Sequence, residues 1–270
     1  MPELPEVETV RCQLQKALPG RRFESVTEVD PFVLRDVSPE AVSASLGGRV
    51  VRRVDRAGKF LVLPLSGGTF LTVHLGMTGN LLMTDPAEAF THVRFAALMD
   101  DGRRLVFRDV RKFGRVHVTE GGPAERINRL GPDAWLGDWG PDYLAARLEG
   151  RTGALKAFLL DQRNLAGIGN IYADEILFGA RLSPVRPAGR LTRGEVERLA
   201  VEIKERLAEG VLARGCTVSD FVDSEGRPGT FQESLRAYGR HGLPCVSCGG
   251  PLARIVVAGR GTIFCAVCQS

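Results

Sequence analysis

The chain has 270 residues, 44% hydrophobic and 25% charged, with a net charge of +4. That balance excludes a disordered or fibrous chain and leaves room for a sizeable core, as one large domain or two ordinary ones. The acidic start MPELPEVETV lacks the apolar run of a secretory signal, so no export signal is expected.

In chain order, Val7, Val10 and Leu14 share one helical face, and Pro19-Gly20 ends that run. From Arg21 to about Val118 the pattern is mostly short strands. VVRRVDRAGKFLVLPL and GTFLTVHLGMTGNLLM run apolar or alternate, and Asp101-Gly102 between RFAALMD and RRLVFRDV predicts a hairpin turn. SPEAVSASL, opening on Ser38-Pro39, reads as a short helix. Phe60 to Thr84 carries no Asp, Glu, Lys or Arg, but Pro64, Gly67, Gly68, Gly76 and Gly79 break it into strands and turns rather than a membrane span. Many strands joined by Gly turns imply a β-sandwich or barrel.

Composition shifts at Gly121. GGPAERINRLGPDAWLGDWGPD reads as a linker. Helices are expected in YLAARLEG, ALKAFLLDQ and NIYADEILFGA, and most strongly from Thr192 to Arg214, where Thr192 and Glu195 form a capping-box pattern. GCTVSDFVDSEGRPGTF, residues 215–231, reads as a mobile loop. These boundaries give an N-terminal β domain over 1–120, a linker over 121–140, a helical domain over 141–231 and a cysteine-rich tail over 232–270.

The tail is the most explicit segment. Cys245-Val-Ser-Cys248 and Cys265-Ala-Val-Cys268 are separated by sixteen residues. This is the spacing of a closed four-thiolate zinc site, structural rather than catalytic because no coordination position stays open. LARIVVAGRGTIF between the pairs reads as two strands joined at Gly259-Arg260-Gly261, with Arg260 at the tip. Cys12 and Cys216 fall outside the pattern and read as ordinary thiols. From Gly226 to Ser270 five arginines face one acid, Glu233, so this segment alone carries the net +4. A basic tail of that kind suits a polyanion or a merely solvated surface.

Pro2 would expose a secondary amine once Met1 is removed. Such an amine can attack an aldehyde-like carbon to give an iminium. Glu3 and Glu6 follow it, readable as acids of the chemistry or as acids complementing a helix N-terminus.

The start MPELPEVETV resembles that of the formamidopyrimidine-DNA glycosylases. So do AGKFL with Lys59, HLGMTG with His74 and Met77, RKFG with Arg111 and Phe113, QRNLAGIGNIYADEILF with Asn170, and GRGTIFCAVCQ with Arg260. The resemblance implies an α+β fold: an N-terminal β-sandwich with flanking helices, a helical domain with a helix-two-turn-helix motif, and a zinc-finger β-hairpin. DNA would lie in a cleft between the lobes. It implies a bifunctional glycosylase and lyase acting on double-stranded DNA with oxidised purines, with one structural zinc, no organic cofactor and no membrane. A monomer in the bacterial cytoplasm, at the nucleoid, is expected.

Roles follow by matching motif. Pro2 would be the nucleophile, and Glu3 the proton donor during base loss and ring opening. Glu6 would orient the amine, with its helix-dipole reading left open. Lys59 would donate the proton in β-elimination. Arg260 would clamp the phosphate in δ-elimination, because arginine is a poor acid. Met77, Arg111 and Phe113 would fill the gap left by the extruded base. His74 belongs to the same DNA-contact set. Asn170 would meet a phosphate or cap its helix, and His92, Arg151 and Lys156 would touch the DNA backbone. The loop at 215–231 resembles the mobile loop that closes over the flipped base. Two departures stand out: Val110 replaces the proline of DPRRFG, and THVRF keeps one histidine of a richer run. The rivals are an endonuclease VIII-like enzyme for oxidised pyrimidines, whose start reads PEGPE, and a non-catalytic zinc DNA-binding protein.

Overall fold

A computed structural model describes residues 2–34, 37–218 and 220–270. The chain divides into two compact units, 1–129 with 213–230, and 130–212 with 231–270. The segment expected to close the helical domain, 213–230, therefore belongs to the first unit.

The first unit opens with α1 (Leu4–Ala17), whose Val7, Val10 and Leu14 are fully buried. The strands β1 (Phe23–Val29), β6 (Val93–Met99), β7 (Arg104–Asp109) and β5 (Gly79–Thr84) form one sheet in that order. The strands β2 (Asp55–Ala57), β3 (Phe60–Pro64), β4 (Thr69–His74) and β8 (Arg115–Glu120) form the other. Every neighbouring pair is antiparallel. One apolar cluster joins α1, α2 (Pro39–Leu46) and inward residues of both sheets, including Phe23, Leu61, Leu71, Phe95 and Phe107. This is a sandwich with helices against it, held by burial of large aliphatic and aromatic groups. The uncharged run from Phe60 is β3, β4 and β5 with their turns. Among the described residues no helix is long and apolar enough to cross a membrane.

The second unit contains α3 (Pro141–Leu148), α4 (Leu155–Leu160), α5 (Asn170–Gly179) and α6 (Arg193–Leu212). The strands β9 (Ala253–Val257) and β10 (Arg260–Phe264) complete it. α6 starts where its capping box directs: Thr192 N–H donates to Glu195 at 2.7 Å, and Glu195 N–H donates back to Thr192 Oγ. α5 is buried on nearly all sides, from Ile171 to Phe178, as a helix without a polar face must be. The hairpin differs from expectation by one residue. Its turn is Ala258-Gly259, both with positive φ, and Arg260 is the first residue of β10. A two-residue turn of that hand matches the twist of the strands it joins.

Candidate active site and nucleic-acid interface

In the first unit, Pro2, Glu3 and Glu6 are buried at the start of α1. Glu6 accepts the Glu3 N–H through Oε2 at 2.7 Å and the Cys216 N–H through Oε1, also at 2.7 Å. Its two oxygens therefore tie the helix cap to the segment that returns from α6. This arrangement joins the two open readings of Glu6: it sits at the positive helix end and it also fixes the backbone beside Pro2. Gly215 makes the approach possible. It has φ +85, and a Cβ there would lie 2.8 Å from Glu6 Cγ.

Lys59 occupies the two-residue turn Gly58-Lys59 between β2 and β3, where Ala57 pairs with Phe60. His74 ends β4 with its ring 4.7 Å from that of Phe60. Its Nδ1 accepts the Gly76 N–H at 3.2 Å, so the neutral ring carries its proton on Nε2. Burial, with Lys59, Arg126, His117 and Arg115 adding positive charge, drops the His74 imidazole from 6.5 to about 4. His74 is thus a neutral donor near pH 7.

Met77 sits in the turn between β4 and β5. Gly76, with φ +67, lets this turn press on residues 113 and 114, since a Cβ there would collide with the Gly114 backbone nitrogen. The loop carrying Arg111 and Phe113 is built around a residue to which the motif assigns no role. Asp109, fully buried, accepts from Thr78 Oγ at 2.5 Å, Gly114 N at 2.7 Å and Arg111 N at 3.2 Å. These bonds shape the loop although Val110 stands where the family pattern has proline. An Asp a few residues before a Gly was the available signal, because Asp side chains accept from nearby backbone amides. The side chains so presented face water. Phe113 is 48% exposed, with the Arg111 guanidinium 4.8 Å from its ring centroid. His92 is exposed too, with φ 61, and its carbonyl accepts the Asp109 N–H.

In the second unit, Arg151 is exposed just after α3. Lys156 corrects an expectation. It does not reach the surface but is fully buried and paired with the fully buried Asp174 at 2.6 Å. It also donates to Thr262 Oγ at 2.8 Å and to the Gly261 carbonyl at 3.2 Å. α4 turns one face inward, and Lys156 lies on it between Leu155 and Phe158, both buried. Asn170, the first residue of α5, donates from Nδ2 to the same Gly261 carbonyl at 3.1 Å. Asp174 accepts from Ile263 N at 3.0 Å. A buried cation, an amide and a carboxylate thus grip β10 from behind, while Arg260 beside them stays exposed.

The four tail cysteines place their Sγ atoms within 4.8 Å of one another. Cys248 and Cys265 are 3.5 Å apart, and Cys245 and Cys268 4.0 Å. Tetrahedral zinc with Zn–S of about 2.3 Å needs sulfur separations of about 3.8 Å, so the donors fit. Backbone amides of Ser247 and Cys268 point at Cys245 and Cys265 sulfurs, as the tight turns of zinc knuckles require. Cys245 and Cys265 also pack with Phe178, Ala237 and Leu252 in a small core of their own.

Comparisons with known proteins agree along the chain. Residues 1–116 match the formamidopyrimidine-DNA glycosylase N-terminal domain, 130–222 its H2TH domain, and 242–270 a zinc finger found in FPG and IleRS. A formamidopyrimidine-DNA glycosylase of Chloroflexus aurantiacus is 41% identical over 271 residues, covering 100% of this chain and 98% of the relative. The crystal structure of the MutM (Fpg) protein from Thermus thermophilus superposes with a TM-score of 0.90 at 45% identity, covering 99% of this chain and 98% of that one. A Lactococcus lactis FPG variant in complex with Fapy-dG-containing DNA superposes at 0.91 with 30% identity, covering 100% of both chains.

Proposed function

The chain belongs to the formamidopyrimidine-DNA glycosylase family, and from that premise we propose how its residues share the work of excising oxidised purines. It is a base-excision repair DNA glycosylase with AP lyase activity on double-stranded DNA, and its tail holds one structural zinc. The lesion nucleotide leaves the stack so that its sugar carbon becomes accessible. The Pro2 nitrogen lone pair attacks C1′ while the glycosidic bond breaks and the base departs with its electron pair. The departing base takes up the N–H proton that Pro2 sheds, and Glu3 protonates O4′ as the C1′–O4′ bond breaks, leaving an iminium on Pro2. Water takes up a C2′ proton, the C3′–O bond breaks, and the 3′ phosphate departs with a proton from Lys59. A second elimination expels the 5′ phosphate, its charge held by Arg260. Glu6 is a positioning residue. Met77, Phe113 and Arg111 occupy the vacated space, with the guanidinium offering donors to the unpaired partner base. His74, His92, Arg151 and Asn170 bind the phosphate backbone, His74 as a neutral donor. Such a substrate implies work at the nucleoid in a bacterial cytoplasm.

The observation that carries this reading is the buried start of α1, where Glu6 commits both carboxylate oxygens to backbone amides around Pro2 and Glu3. The test is borohydride trapping on a duplex with 8-oxoguanine opposite cytosine, beside one with an oxidised pyrimidine. A covalent adduct mapping to Pro2, formed faster on the purine duplex, is expected. Faster trapping on the pyrimidine duplex would move the protein to the endonuclease VIII-like branch. Tight binding without any adduct would leave a DNA-binding module.

A further inference from the structure

Residues 215–231 read from sequence as a mobile loop, yet all but the last of them belong to the first unit, and polar contacts tie them to α1 and β5. Phe221, 5% exposed, is a member of that unit's main apolar cluster. Asn80, on β5 and 3% exposed, accepts the Val222 N–H through Oδ1 at 3.0 Å and donates through Nδ2 to the Asp220 carbonyl at 3.2 Å. Gln13, on α1, accepts from Ser224 N at 2.9 Å and Ser224 Oγ at 2.8 Å, and donates to Asp223 Oδ2 at 2.8 Å. Met83 N–H adds a bond to the Ser224 carbonyl at 3.1 Å. Asp223, itself buried, accepts from the amides of Glu225 and Arg227 and so closes the segment on itself.

The carboxamide of Asn80 meets a carbonyl and an N–H on alternate residues, as a neighbouring strand would. Only a side chain carrying both a donor and an acceptor can do that. Because Asn80 is buried, undocking the segment would leave its carboxamide short of partners. We propose that Asn80 and Gln13 are positioning residues for lesion excision. By holding 220–224 against the first unit before DNA arrives, they fix the position from which this segment meets the extruded base. The ordering entropy is then settled in the free enzyme rather than at the moment of binding. An abasic site presents no base to be read, so strand cleavage there does not use these two amides. This inference rests on the reading of the chain as an oxidised-purine glycosylase and lyase.

The experiment compares single-turnover excision of 8-oxoguanine with cleavage of an abasic duplex, using the full-length zinc-loaded protein and its Asn80→Ala, Asn80→Asp and Gln13→Ala variants. Excision should fall about tenfold in Asn80→Ala and Gln13→Ala, while abasic cleavage stays within about twofold. Asn80→Asp should fall between, since a carboxylate still accepts from Val222 but cannot donate to Asp220. Amide exchange at Val222 and Ser224 should quicken in the same order. Circular dichroism of each variant checks folding, and Asn80→Asp keeps the test alive if the alanine variant does not fold. A parallel fall of both activities would overturn the inference, as would unchanged excision alongside faster exchange. A wild-type protein that cleaves neither duplex would overturn the functional reading, and this inference with it.

Discussion

The two units hold their functional side chains in place by opposite electrostatic means. In the first, buried carboxylates accept from backbone amides: Glu6 ties the start of α1 to Cys216, and Asp109 folds the loop that presents Arg111 and Phe113. In the second, a buried cation and a metal do the work: Lys156 grips the Gly261 carbonyl behind Arg260, and four thiolates close the tail. Asp109 shapes its loop over a few residues, whereas Glu6 reaches 210 residues along the chain to Cys216. A cation paired across α4, α5 and β10, like a metal, joins segments far apart in sequence.

The largest effect expected is from zinc. Structural zinc contributes on the order of 10 kcal/mol or more in isolated fingers. Chelation or Cys265→Ser should unfold the tail and weaken DNA binding, while the circular dichroism of the β-rich unit persists. Unchanged DNA affinity after verified zinc loss would break the comparison. Next comes Lys156→Met, which strands the Asp174 carboxylate. Breaking one side of a buried pair costs about 3–5 kcal/mol, and Asp174→Leu in the same chain should restore much of it. Denaturant melts of both variants check this.

A pH effect separates the units further. His74 is held at about 4 in the folded protein against 6.5 as its ordinary value. Above 6.5 the ring is neutral in both states and contributes nothing to the balance. As pH falls from 6.5 towards 4 the unfolded chain takes up a proton that the folded one resists, at up to about 3 kcal/mol. His74→Gln should remove that loss, so wild type and variant should diverge as urea melts move from pH 7 to pH 4.5. The smallest effect belongs to Asp109→Asn, which turns a full acceptor into a half donor facing the Gly114 and Arg111 amides. About 1–2 kcal/mol of stability should go, and binding to a lesion duplex, read by fluorescence anisotropy, should weaken less than it does on zinc loss.

Where local rules set the structure, the sequence was readable. The face of α1, the Asp101-Gly102 turn, the capping box at Thr192 and the paired cysteines each follow from residues a few positions apart. The unread parts depend on distant partners. Lys156 reads as a contact to the DNA backbone until Asp174, on the next helix, is seen beside it. The hairpin turn falls at Ala258-Gly259 because Ala258 takes a positive φ that composition would assign to glycine. The loop after α6 is rich in Gly and Asp, as flexible segments are, and its docking depends on Asn80 and Gln13, more than 130 residues upstream by sequence. At the candidate site the motifs supply the proposed roles, but the groups that shape the loop of Arg111 and Phe113, Asp109 and Thr78, carry no motif role.

The return of 213–230 to the first unit also sets an order of assembly. The chain passes from one unit to the other after residue 129, back after 212 and across again after 230. During synthesis the sheets of the first unit can pair early, but Phe221 reaches its place in their core only when four-fifths of the chain has left the ribosome. Until then the β-rich unit lacks the amide that Glu6 needs from Cys216 and the segment that Asn80 and Gln13 hold. The nascent enzyme is therefore expected to stay without its finished active site until the helices of the other unit have been made.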